Sequence, residues 1–223
     1  MTKKISLFWD IDGTLLSTKG AGFPPFLDAI MKRFPDCKPI TRKECSGKTD
    51  YEIIMGSIGH ENWTNQSAVD EIIQEYNLGL KRNLDKSPAR ALGEIDEVLQ
   101  KLQLNQNVDS YILSGNNKLG ARIKLESAGL GKYFHQNRHY LASYSRPHRI
   151  DVAKAAITGL GKSQCIILGD TPYDIAVAQK MGVQVIAVAS GQHSLEELEQ
   201  LNPTYLLEEP NQVKLFEIFN SLV

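Results

Sequence analysis

Ile5-Ser6-Leu7-Phe8-Trp9-Asp10-Ile11-Asp12-Gly13-Thr14-Leu15 is the stretch from which the fold can be read. Its first five residues form a short, mostly apolar run, and Asp10-Ile11-Asp12-Gly13 ends it, as a buried strand stopped by a turn would read. Alone, Asp12-Gly13 reads equally well as an ordinary turn, because both residue types tolerate the dihedrals that turns need. The segments that follow decide between these readings.

From about residue 16 to residue 91 the pattern is helical: 24–34, 50–58 and 67–84 carry apolar residues three and four apart. No strand is predicted among them. Beyond residue 91 helices and strands alternate, with helices over 93–104, 118–128, 150–160, 173–181 and 194–200 and a last one at the end. Strands are predicted over 110–113, around 140–142, and over 165–168, 184–189 and 205–207. Strands separated by helices of this length imply βαβ units and a mostly parallel sheet covered on both faces. The expected fold is therefore α/β, a Rossmann-like doubly wound parallel sheet with a helical bundle inserted after its first strand. Residues 1–15 and 92–223 are expected to form the core domain and 16–91 a helical cap domain, joined near 15–20 and 88–93.

Composition agrees with a globular chain: 223 residues, 42% hydrophobic and 23% charged, suit one large domain or a domain plus a smaller insert. A net charge of −1 argues against a nucleic-acid surface, which calls for a basic excess. Cys37, Cys45 and Cys165 are odd in number and lack metal-ligand spacing, so they read as reduced thiols. The apolar run behind Met-Thr-Lys-Lys is too short for a signal-peptide core, and no run approaches a membrane span. A cytoplasmic protein, free of membrane and nucleic acid, is the expectation, as a monomer or weak homodimer.

In an open parallel sheet the reactive groups collect beyond the carboxyl ends of the strands. Three predicted strands end in polar residues there: Asp10 to Thr14, then Ser114-Gly115-Asn116, then Gly169-Asp170-Thr171-Pro172-Tyr173-Asp174. Each has a plain structural reading. Thr171 with Asp174 is a helix-capping pattern, with Pro172 in the first helical position and Gly182 closing the helix. Taken together, three ordinary turns have no reason to set acids and hydroxyls at the ends of three strands of one sheet. Carboxylates gathered in one crevice disfavour joint ionisation unless something positive intervenes. Magnesium suits such a site, because it takes oxygen ligands and commonly joins carboxylates to a substrate phosphate.

This constellation resembles the haloacid dehalogenase superfamily, whose first motif is an apolar strand followed by Asp-x-Asp-Gly-Thr, here Phe8 to Leu15. Ser114 matches its second motif, and Gly169, Asp170 and Asp174 match its fourth, Gly-Asp-x-x-x-Asp. The resemblance covers the whole chain, since one cap type of that superfamily is a helical bundle placed directly after the first motif. Gly47-Lys48-Thr49-Asp50 is similar to a stretch found in caps of the phosphoglycolate-phosphatase-like branch. The third motif departs from its usual Lys; Arg146, in Arg146-Pro147-His148-Arg149, is the expected replacement, with Arg149 and Lys154 as competitors.

The resemblance implies a hydrolase of small phosphorylated metabolites acting through an aspartyl-phosphate. Asp10 would attack phosphorus, and Asp12 would protonate the leaving group and later activate water. The Asp10 and Asp170 carboxylates and the Asp12 main-chain carbonyl would hold Mg2+, and Asp174 would orient a metal-bound water or the motif-three cation. Ser114, Gly115, Asn116 and Arg146 would bind the phosphoryl oxygens, the strand-to-helix junction being suited to anions. Lys48, Thr49 and Asp50 are the candidates for reading the rest of the substrate, although Thr49 or Asp50 would serve equally as a helix cap.

Asp12 counts against carbon–halogen hydrolysis, which has no alkoxide to protonate. A sugar phosphomutase, a phosphonate-cleaving enzyme using a cap lysine such as Lys48, and a catalytically silent phosphometabolite-binding module stay open. His135 and His139 are four apart but sit in a polar stretch with no nearby acid, so a zinc site is disfavoured. His193 reads as a surface loop residue. Phe23, Phe26, Met31 and Met55 have helical spacing and read as core of the insert.

Overall fold

The computed structural model describes residues 4–38, 40–158, 160–161 and 164–221. Strand β1 (Ile5–Trp9) is buried along its whole length, which only a strand covered on both faces can be. It pairs in parallel with β4 (Val108–Ser114) on one side and β6 (Cys165–Gly169) on the other. Outward from these lie β5 (His139–Leu141) beside β4, then β7 (Gln184–Val188) and β8 (Tyr205–Leu207) beside β6. The order β5-β4-β1-β6-β7-β8 reverses direction at β1, so a crevice opens at its carboxyl end. The parallel α/β sheet read from the sequence is the sheet the chain forms.

Among the described residues, six α-helices connect and flank these strands: α6 (Ile95–Leu102), α7 (Lys118–Ser127), α8 (Arg149–Ile157), α9 (Pro172–Met181), α10 (Leu195–Glu199) and α11 (Gln212–Ser221). Between β1 and β4 run five more: α1 (Phe23–Arg33), α2 (Arg42–Cys45), α3 (Asp50–Ile58), α4 (His60–Trp63) and α5 (Gln66–Lys86). Val69, Ile72, Tyr76, Leu80 and Leu84 form the buried stripe of α5, at the three- and four-residue spacing of one helix face. Phe26 of α1 meets Tyr76 edge to face, with centroids 4.6 Å apart. Gly79 lets the two helices close in, since a Cβ there would overlap Pro25. Phe26 is core, as expected, but it and the partly buried Phe23 also line the cavity at the strand ends, and Met31 is 43% exposed.

The expectation of no strand within 16–91 is corrected. β2 (Leu16–Ser17) pairs antiparallel with β3 (Arg90–Ala91), so the chain enters and leaves the helical segment side by side. Two residues are too few to show an alternation. The single-turn helices α2 and α4 escape periodicity for the same reason.

Phe8 is wholly buried and stacks on Tyr111 of β4 at 5.2 Å between centroids. Its replacement by Ala should cost about 3–5 kcal/mol, while Val213→Ala, at a site 62% exposed, should stay within about 0.5 kcal/mol. Urea denaturation followed by circular dichroism measures both. Equal losses would contradict this assignment of the core.

Candidate active site

Because β1 is flanked by parallel strands, their ends come to one level: Trp9 pairs with Ile112 and with Leu168. Asp10 follows β1, Ser114 closes β4, and Asp170 follows β6, so all three lie on one edge of the sheet. The Asp10 N–H donates to the Leu168 carbonyl at 2.9 Å, tying the first loop to the neighbouring strand. Gly13 completes the turn at φ +83°, and any Cβ there would run into the Asp170 carboxylate.

Asp10, Asp170 and Asp174 are buried, with one oxygen of each inside a 4.8 Å cluster. Their partners set distinct roles. Asp174 caps α9, accepting from the Thr171 N–H at 3.1 Å and the Thr171 hydroxyl at 2.7 Å through one oxygen. Its other oxygen pairs with Arg149. Asp170 accepts from the Thr14 hydroxyl at 3.2 Å. Asp10 Oδ1 is buried and faces the Arg149 guanidinium at 3.2 Å as an ion pair, without meeting the geometry of a hydrogen bond.

Burial pushes the Asp10 carboxyl up to about 6; Arg149 opposes this and Asp174 adds to it. Asp170 is raised well above the ordinary carboxylate range, first by burial and then by Asp10 and Asp174. Burial works against the Arg149 charge, but Asp10 and Asp174 outweigh it and keep the guanidinium charged. Three buried carboxylates with oxygens within 4.8 Å of one another, balanced by one guanidinium, are a fitting seat for a hard divalent cation.

The structure does not place Arg146 at this cluster. Its main chain is paired with Ser143, and its side chain lines a separate depression with Lys118, Arg122 and His139. Arg149 opens α8 and is thereby aimed at the sheet edge, whereas Lys154 faces solvent beside Asp151 at 3.5 Å.

Asp12 lies at the wall of the same cavity, of about 250 Å³, and its side chain is 42% exposed. Its Oδ2 accepts from the Asn116 side chain at 2.9 Å and from Lys124 Nζ at 2.5 Å. Asn116 also donates to the Ser114 hydroxyl at 2.9 Å. Lys124 escapes the sequence reading. Burial works against its charge, while Asp12, Tyr76 and Asp50 more than reverse that. The signal for it is a lysine on the α7 face that also buries Gly120, Ala121 and Leu125.

Gly47 to Asp50 crosses the strand ends so closely that a Cβ on Gly115 would lie 2.8 Å from the Lys48 carbonyl. Thr49 caps α3 and donates to the Pro147 carbonyl. The Asp50 carboxylate accepts from the N–H and side chain of Asn117, both at 2.7 Å, and Asn77 donates to Asn117 at 2.9 Å. Lys48 alone of the three is exposed, at the cavity mouth. His193, read as a surface loop residue, is instead half-buried and meets the Ser46 hydroxyl at 3.3 Å.

The sequence profile described as haloacid dehalogenase-like hydrolase matches residues 7–188. The chain belongs to that family. This haloacid dehalogenase-like hydrolase is 27% identical to the pyrophosphatase PpaX of Oceanobacillus iheyensis over 92% of both chains. It is 23% identical to a 5'-nucleotidase of Pseudomonas aeruginosa, over 90% of this chain and 89% of that one. A haloacid dehalogenase-like family hydrolase from Streptococcus pneumoniae shares its fold with a TM-score of 0.71 at 21% identity, covering 98% of this chain and 100% of the other.

The unfolded chain releases the Asp10 proton near 3.8 and the fold holds it to about 6, so between these values the folded state binds more protons. Stability of the metal-free hydrolase should therefore fall as pH rises from about 4 through about 6, and a divalent cation should restore it. Melting temperatures across that range, with chelator and with magnesium, measure this. A chelated protein that gains stability over the interval would contradict the electrostatics of the cluster.

Proposed function

We propose that this hydrolase is a magnesium-dependent phosphatase of small phosphate monoesters that works through an aspartyl-phosphate on Asp10. The observation that carries the reading is the buried Asp10 carboxylate, set beside Arg149 and Asp170 in a cavity that Asp12 also lines. The names of the relatives, a pyrophosphatase and a 5'-nucleotidase, agree with cleavage of a phosphate linkage.

An Asp10 oxygen forms a bond to phosphorus as the ester oxygen leaves, and Asp12 gives that oxygen its proton. Asp12 then takes a proton from water, whose oxygen bonds to phosphorus as the Asp10 oxygen departs; inorganic phosphate is released, the Asp10 carboxylate is free again and Asp12 has regained its proton. Arg149, held by Asp174, and the Ser114 hydroxyl face the phosphoryl oxygens, with main-chain N–H groups at Gly115 and Asn116 beside them. The Asp10 and Asp170 carboxylates and the Asp12 carbonyl would hold magnesium, which would supply the charge that lets neighbouring acids stay ionised beside a phosphate. Residues 16–91 form the cap over a core of 1–15 and 92–223, and exposed Lys48 reads the non-reacting part of a small phosphorylated metabolite. Among the described residues no helix is long and apolar enough to cross a membrane; a cytoplasmic enzyme suits such substrates.

Phosphate release from a panel of esters tests the reading. The native chain should turn over with magnesium and stop with chelator, and Asp10→Asn should fall to background. Arg149→Met should lose about 10²-fold or more in kcat, while Arg146→Ala stays near the native rate. No release from any ester by a folded protein would sink the phosphatase and favour a mutase or a silent binding module.

A further inference from the structure

Lys124 is 6% exposed and projects from the middle of α7, where an apolar residue would complete the helix face. Taking an ammonium out of water is costly unless partners compensate. Here the compensation comes from Asp12 Oδ2 at 2.5 Å, the Asn116 side-chain carbonyl and the charge of Asp50 nearby. Asp50 does not depend on it for hydrogen bonds, since Asn117 already supplies two. The contacts to Asp12 are one-sided: Lys124 and Asn116 both hold Oδ2, and among the described residues no protein donor reaches Oδ1.

We propose that Lys124 is a positioning residue for proton transfer by Asp12: with Asn116 it fixes Oδ2, so that Oδ1 alone meets the leaving oxygen and later the water. This rests on the acid–base role proposed above for Asp12. A carboxylate fixed at one oxygen cannot rotate freely, and misplacement of a reacting group by about 1 Å can cost about 10²-fold in rate. Lys124 touches no reacting atom in this scheme; it acts through Asp12.

The test is kcat/KM for phosphate esters whose leaving groups run from dinitrophenol to simple alcohols, since this parameter reads the steps through leaving-group departure. Lys124→Met should lose little on dinitrophenyl phosphate and about 10²-fold on alkyl phosphates, where proton transfer matters most. Lys124→Arg should recover part of the loss. Asp12→Asn with Lys124→Met should be no worse than Asp12→Asn alone, because the two act as one unit. Should Lys124→Met not fold, Asn116→Ala removes the other tie on Oδ2; because it also frees the Ser114 hydroxyl, it should add the same leaving-group dependence to a loss shared by every ester. An active native enzyme whose variants lose equally on every ester, or whose double variant loses additively, overturns the positioning role alone. A native chain inert on every ester overturns the phosphatase reading and this role together.

Discussion

Burying several carboxylates at the end of one sheet is the constraint that organises this protein. Asp10, Asp170 and Asp174 cannot all carry charge within 4.8 Å of one another without compensation. Part of it is built in: Arg149 sits between Asp10 and Asp174, and the hydroxyls of Thr14 and Thr171 turn toward Asp170 and Asp174. The remainder, three carboxylates set against one guanidinium, is the charge that a divalent cation would balance under the proposed chemistry. Both the turn at Gly13 and the start of α8 follow from this arrangement, since one must clear the Asp170 carboxylate and the other must deliver a guanidinium.

A second charged group, next to the first, is of a different kind. Asp12, Asn116 and Lys124 form a chain that is exposed at Asp12 and buried at Lys124. It adjoins Asp50, Asn117 and Asn77, which join the helical segment to the start of α7. The contacts over the strand ends are thus mainly polar and directional: Thr49 to Pro147, Asp50 to Asn117, Ser46 to His193. Polar contacts of this sort exchange with water at small net cost, unlike a sealed apolar interface.

Local chemistry explains what the sequence disclosed. β1 was legible because five apolar residues end abruptly in Asp10, and parallel pairing then brings Ser114 and Asp170 to the same edge without further information. Arg149 was harder to choose over Arg146, since only two residues separate them and the direction in which α8 begins decides which side chain points inward. Lys124 was hidden because a lysine in a helix normally reads as solvated, and its partner lies 112 positions away. Thr49 and Asp50 carried a cap signature that the fold does use, at α3, while their long-range partners Pro147 and Asn117 have no trace in the local pattern. The pairing of β2 with β3 was invisible at two residues a side.

That small pairing bears on how the sheet assembles. β1 and β4 must meet although the whole helical segment lies between them, and joining distant strands carries an entropic cost that grows with the logarithm of the intervening length. Once Leu16–Ser17 is zipped to Arg90–Ala91, the helices hang outside the loop as a closed side branch. The connection the sheet then has to close is shortened roughly fourfold, a saving of about 1 kcal/mol. A segment looped out in this way can lengthen, shorten or change its sequence with little penalty for the strand order beneath it, which separates the evolution of what lies over the site from the evolution of the chemistry within it.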